Sequence, residues 1–180
     1  MNDTTLRHFL TISYLLMITA LFSCNADRSK KVDIEDFDFS TTDASELYFK
    51  NVRESYYEIE EKDGIKIYRL KDYQEVDSSF FQPMIVFHWR SDRAFLMLEF
   101  DESVDAESLS IRTGDVDKVY QVIQIKDHLT LANDIYNAVV DEQDIFIEQQ
   151  GEMVAVFNGL TEKSNFSLVL YDFFRFTNVY

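Results

Sequence analysis

Glycine is scarce in this chain, and its positions predict where the backbone reverses direction. Only four glycines occur among the 180 residues, and each stands beside polar residues that are typical of turns. The clearest case is Asp63-Gly64, which separates Ser55–Glu61 from Ile65–Leu70 and predicts a β-hairpin. Further reversals are predicted at Gly114 and Gly151.

The segments that flank these turns alternate apolar and polar residues with a period of two. This pattern is typical of antiparallel strands with one buried face. Asn158-Gly159 predicts another tight turn with positive φ angles, before a strand in which Phe166, Leu168 and Leu170 recur at alternate positions. The other strands predicted in this way are Ser108–Arg112, Lys118–Ile125, Asp144–Gln149 and Met153–Phe157.

Two runs in the middle of the chain, Met84–Trp89 and Ala94–Leu98, are almost continuously apolar. They predict a central hairpin that is covered on both faces. One helix is predicted from Leu129 to Val140, with Asp127 or Thr130 as its cap. We therefore expect a mainly β domain, with α+β as the alternative: an antiparallel β-sandwich or curved sheet with one packed helix.

The composition restricts the class of partner. Apolar residues make up 46% of the chain, which supports a packed core, and the formal net charge is −16. Such a charge repels phosphate backbones, so we expect no nucleic-acid partner. The charge is expected to keep an exported domain soluble, and any charged partner is expected to be basic or bridged by cations. Cys24 is the only cysteine, so neither an internal disulfide nor a cysteine-based zinc site is possible.

The N-terminus has the layout of an export signal. Phe9–Phe22 is an apolar run that is interrupted only by serine and threonine. As a helix it would rise about 21 Å, which is too short for a hydrocarbon core of about 30 Å. We therefore predict a signal peptide over residues 1–23.

The run ends at Leu21-Phe22-Ser23-Cys24, which resembles the lipobox of bacterial lipoproteins. The resemblance implies a diacylglycerol on the thiol of Cys24, cleavage before that residue and acylation of the new amine. It thereby implies a lipid-anchored address in the cell envelope. Ordinary signal-peptidase cleavage after Ala26 and an uncleaved anchor remain as alternatives.

The residues after Cys24 are polar and acidic, and we predict a lipidated, flexible tether over residues 24–43. A single β-rich globular domain is predicted over residues 44–180. Within it, Leu47–Arg53 and Tyr171–Arg175 resemble stretches of uncharacterised exported proteins from Bacteroidota. That resemblance implies no activity and favours an outer-membrane address. The aromatic residues of the second stretch are expected in the core, with an exposed binding patch as the alternative.

No local catalytic, phosphate-binding or dinucleotide-binding motif is present, so we assign no catalytic residue, cofactor or metal ligand. His88 is expected to be a core histidine bonded to the backbone, with a general base or metal ligand as the alternative. His128 is expected at the surface near the helix start. The acidic loop Asp101–Glu107 is expected to be solvated, with calcium binding or carboxylate catalysis as alternatives.

Three functions are compatible with these features. The leading hypothesis is a membrane-anchored envelope lipoprotein that binds an unknown protein or glycan without catalysis. The second is an acidic immunity or inhibitor protein that binds a basic partner. The third is a carboxylate-based hydrolase, which would need a cleft that holds at least two such groups.

Overall fold

In the part of the chain that the structure describes, two antiparallel sheets of four strands each form the β-rich part of the protein. A computed structural model describes residues 30–73 and 80–180. In spatial order, sheet 1 contains β1 (Tyr57–Lys62), β2 (Ile65–Leu70), β3 (Phe81–His88) and β4 (Arg93–Phe100). In spatial order, sheet 2 contains β6 (Val116–Tyr120), β5 (Leu109–Thr113), β7 (Ile145–Gln149) and β8 (Glu152–Ala155). The predicted antiparallel, β-rich fold with helical packing is thus confirmed.

Three α-helices accompany the sheets in the described residues: α1 (Asp43–Tyr48), α2 (Ile125–Val140) and α3 (Leu160–Phe176). α1 continues through a π-helical turn (Phe49–Arg53) and a 3-10 turn (Glu54–Tyr56), and we call this whole stretch the helical segment 43–56. A further 3-10 turn spans Lys71–Tyr73. α3 packs on β3 and β4, whereas α2 packs on β4 and on α3.

The glycine turns join β1 to β2, β5 to β6 and β7 to β8, as predicted. In the first of these turns, Asp63 and Gly64 have φ angles of 51° and 88°. Two consecutive positive φ angles fit the twist of a two-residue hairpin, and glycine reaches them without steric cost. Lys62 and Ile65 accordingly pair across the turn.

The helix predicted from Leu129 begins earlier, at Ile125. Gln124 is its N-cap, and the Asp127 carboxylate accepts hydrogen bonds from the backbone N–H groups of Gln124 at 2.7 Å and Ile123 at 3.1 Å. Asp127, one of the two predicted caps, therefore closes the helix start from the first turn.

The strand predicted around Phe166 and Leu170 is wrong, because these residues belong to α3. Gly159 does not close a positive-φ turn: its φ is 172°, and it is the N-cap of α3. The aromatic residues near the end of this helix lie in the core as expected, with Phe173 and Phe174 fully buried. The error arose because α3 is buried on most of its circumference, which leaves no single apolar stripe to recognise.

The sequence predicts that the β3–β4 hairpin is covered on both faces, but the structure shows that it is not. β4 is the edge strand of sheet 1, and burial alternates along β3, so one face of this hairpin is only half-buried. The free edge of β4 is bonded elsewhere: the N–H of Ala94 donates to the carbonyl oxygen of Phe39 at 2.9 Å, and that of Leu98 donates to Nδ1 of His128 at 3.1 Å. These bonds satisfy edge groups that would otherwise be open to pairing with another chain.

The segment before α1 packs on the domain, so the boundary predicted at residue 44 lies too late in the chain. The compact unit runs from Lys31 to Tyr180. Val32 is buried, its N–H donates to Oδ1 of Asn137 at 3.2 Å, and the Phe37 ring stacks on Phe173 with centroids 5.5 Å apart. Residues 31–43 are therefore part of the fold and not of a flexible tether.

Candidate functional site

An open cleft of about 350 Å³ lies between one end of sheet 1 and the helical segment 43–56. It combines aromatic rings with charged side chains of both signs, a mixture that is typical of binding sites. Its aromatic residues are Phe49, Tyr68, Phe87, Trp89 and Phe176, and its charged residues are Glu46, Lys50, Glu54, Glu61 and Lys66.

The floor of the cleft is a set of buried rings in mutual contact. Phe49 stacks on Phe176 with centroids 4.6 Å apart, and it meets Tyr68 edge-on at 5.0 Å. The ring centroids of Phe87, on β3, and Phe176 are 5.0 Å apart. The contacts between these floor rings therefore join sheet 1, α3 and the helical segment 43–56. Such ring pairs stabilise a structure beyond the effect of area burial alone, so the floor is expected to be rigid.

Trp89 stands at the rim, directly after the end of β3, and 44% of its surface is exposed. The guanidinium carbon of Arg90 lies 5.2 Å from the centre of its ring, within the range of a cation–π contact. A Cβ atom on Gly64 would come within 3.1 Å of Nε of Arg90, so the β1–β2 turn touches this side chain.

The charges of three carboxylates act on the phenol of Tyr68. Its hydroxyl donates to Oε1 of Glu54 at 3.4 Å. Burial raises the pKa of Tyr68, and the negative charges of Glu54, Glu61 and Glu46 raise it further. The polar part of the cleft therefore has a negative potential around a phenol that stays protonated.

Two lysines of the cleft partly offset this potential. Nζ of Lys66 lies 3.9 Å from Oε2 of Glu61, and Lys50 also lines the cleft. Glu46 accepts a hydrogen bond of 2.6 Å from the hydroxyl of Thr41. Three carboxylates against two ammonium groups leave the lining with a net negative charge.

The two histidines singled out in the sequence do not line this cleft. His88 is half-buried, and its Nδ1 lies 2.8 Å from the hydroxyl of Ser91, so the expectation of a core histidine bonded to the backbone is wrong. His128 is also half-buried, where a surface position was expected, and its Nδ1 accepts the N–H of Leu98. Burial lowers the pKa of His128, although the charge of Asp127 opposes this effect.

Two carboxylates of the acidic loop Asp101–Glu107 accept hydrogen bonds from the backbone of the loop itself. Asp101 accepts the N–H of Ser103 at 2.9 Å, and Asp105 accepts that of Glu107 at 3.0 Å, as in Asx turns. The hydrogen bonds from Ser103 lower the pKa of Asp101. Within residues 30–73 and 80–180, no group of three or more metal-ligating side chains could hold a metal ion.

Sequence reasoning missed the cleft. Trp89 was assigned to a covered strand, although a lone tryptophan followed by Arg90-Ser91-Asp92 is also the pattern of an exposed turn. The predicted signal peptide and Cys24 lie outside the described residues. In the part of the chain that is described, no helix has both the length and the apolar character needed to cross a membrane.

Comparisons with protein-family models, with curated proteins and with solved structures find no match to this chain.

Proposed function

We propose that this protein is a lipid-anchored lipoprotein of the bacterial cell envelope, at the outer membrane, that binds a partner through the cleft beside Trp89 and catalyses no reaction. The cleft is the observation that carries the binding part of this proposal. It is open to solvent, its floor is aromatic, and its polar groups come from three separate parts of the fold.

The anchor rests on the sequence. Leu21-Phe22-Ser23-Cys24 resembles a lipobox, and the only cysteine of the chain stands at the position where that motif needs it. Two or more acyl chains suffice for stable anchoring, because each buried CH₂ contributes about 0.8 kcal/mol. Since the compact unit starts at Lys31, only residues 25–30 separate the proposed lipid from the fold.

A carboxylate-based hydrolase is the second candidate, because the cleft holds the two or more carboxylates that this function requires. Each of these groups already has a partner: Glu46 accepts from Thr41, Glu54 accepts from Tyr68, and Glu61 lies beside Lys66. A binding function uses such fixed charges directly, whereas a general acid or base must exchange its proton with substrate. This difference favours binding.

The acidic immunity or inhibitor hypothesis is a specific form of the binding proposal. The net charge of −16 would accelerate association with a basic protein and would make it sensitive to salt. A salt-resistant partner would instead indicate an accessory subunit of an envelope complex.

The anchor is tested by metabolic labelling with a palmitate analogue, followed by fractionation of the cells. We expect label in the wild-type protein, recovery in the envelope fraction, and loss of both in Cys24→Ser. Ser23→Ala is the matched control, because it keeps a small residue before the cysteine. A wild-type protein without label, or a Cys24→Ser variant that keeps it, would contradict the anchor.

The proposed binding of a partner at the cleft is tested separately, by comparing partner capture by the wild type and by Trp89→Ala.

A further inference from the structure

The cleft beside Trp89 offers two kinds of group that recognise organic cations. Aromatic faces attract a cation through the quadrupole of the ring, and carboxylates accept charge-assisted hydrogen bonds from its N–H groups. Trp89 supplies the first kind at the rim, and Glu54 and Glu61 supply the second kind in the same cleft. We infer that the cleft binds the cationic end of an arginine or lysine side chain that a basic partner protein presents.

This inference rests on the proposed binding function and names the ligand class for that site. The protein already holds one guanidinium against the same ring, because Arg90 lies 5.2 Å from the centre of Trp89. More than two-fifths of the surface of Trp89 nevertheless remains exposed. The ring is therefore still accessible to a second cation.

The charges in and around the cleft disfavour an anionic ligand. A carboxylate or phosphate would meet three glutamates against two lysines, and the charge of one of these lysines, Lys66, is shared with Glu61. The net charge of −16 on the chain repels anions at long range as well. A neutral sugar can donate hydrogen bonds to the glutamates, but it carries no charge for the negative potential at Tyr68 to attract. Charge complementarity thus favours a cation.

The fluorescence of Trp89 gives a direct readout, because it is the only tryptophan of the chain. The purified protein is titrated with N-acetyl-arginine amide and, in parallel, with N-acetyl-citrulline amide, its uncharged isostere. A probe with a single charge is chosen because any polycation would adsorb to so acidic a protein. We expect a saturable change with the arginine probe and none with the citrulline probe.

Variants in the cleft should move this affinity in both directions. Glu54→Gln and Glu61→Gln should each weaken binding by about fivefold, since each removes one partly exposed carboxylate. Lys66→Gln should strengthen binding by about as much, because it removes a competing cation beside Glu61. Glu102→Gln and Lys126→Gln make the same changes in net charge at exposed positions outside the cleft. These two controls should bind the arginine probe like the wild type.

The result that would overturn the inference is specific. Equal binding of the citrulline probe, no saturable response to arginine, or equal weakening in Glu102→Gln and Glu54→Gln would each exclude cation recognition in the cleft. A partner captured through Trp89 alongside any of these results would leave the proposed binding function standing. Specific arginine binding without a captured partner would leave the cation site standing and would contradict the proposed binding of a partner protein.

Discussion

The hydroxyl of Tyr57 donates a hydrogen bond of 2.7 Å to Oδ2 of Asp172, and this bond joins β1 to α3. Nε of Arg53 lies 2.8 and 2.9 Å from the two oxygens of the same carboxylate, whose side chain is only 1% exposed. Burial, together with the charge of Asp172, raises the pKa of Tyr57. The three side chains therefore hold the helical segment 43–56, sheet 1 and α3 together.

Removal of this carboxylate should destabilise the fold strongly. Asp172→Ala leaves the cation of Arg53 without its buried partner, and breaking such a pair costs about 3–5 kcal/mol. Tyr57→Phe removes a single hydrogen bond from a carboxylate that keeps Arg53, so its expected cost is about 1–3 kcal/mol. The free energy of unfolding in urea measures both changes.

Tyr56→Phe is the matched control for these variants, because Tyr56 is about half exposed and its ring remains beside Arg53. It should change the free energy of unfolding by less than about 0.5 kcal/mol. An Asp172→Ala variant as stable as Tyr56→Phe would show that the network does not hold the three elements together.

The half-buried His128 on α2 should make stability depend on pH. The folded-state pKa of His128 lies below its unfolded value of about 6.5, so its contribution is complete above that pH and is lost as the pH falls. Protonation would also remove the acceptor for the N–H of Leu98. We expect the wild type to lose more stability than His128→Asn between about pH 7.5 and about pH 5.

His88→Asn is the control for this measurement, since it leaves His128 in place. Its loss of stability on acidification should therefore include the same contribution from His128 as in the wild type. If His128→Asn loses as much stability on acidification as the wild type, the imidazole of His128 is not the group that titrates.

The segment before α1 should contribute to stability. A chain that begins at Lys31 should be more stable than one that begins at residue 44, because the shorter chain loses Val32 and the Phe37–Phe173 contact. Val32→Ala in the longer chain should cost about 1–2 kcal/mol. The free energy of unfolding in urea measures each change. Asp36→Ala is the control, because the side chain of Asp36 is exposed. Equal stability of the two chain lengths would contradict the packing of this segment.

The strands and hairpins could be predicted from sequence because their signals are local. An Asp-Gly pair between alternating segments specifies a hairpin without reference to the rest of the chain. α3 could not be predicted in this way, because its identity depends on packing. Phe166, Leu168 and Leu170 fit a period of two, and burial around most of α3 removes the stripe that marks a surface helix.

The packing of residues 31–43 and the presence of the cleft could not be predicted from the sequence, for related reasons. Residues 31–43 read as a solvated tether because their few apolar side chains stand among acidic ones, and only the fold supplies the surface that Val32 and Phe37 cover. The cleft draws Glu46, Lys66 and Trp89 from elements that are distant in the chain. Residue types alone could not indicate that these side chains meet.

The most direct test of the proposed function is partner capture from envelope extracts at low and high salt, with the chain from Lys31 to Tyr180 as bait. Trp89→Ala removes the rim of the cleft, and Val119→Ala removes an exposed apolar side chain outside it. We predict one specific envelope protein that the wild type and Val119→Ala retain and Trp89→Ala loses, with release at high salt if the partner is basic. Retention by Trp89→Ala at the wild-type level, or no specific partner at either salt concentration, would contradict a binding function at this cleft.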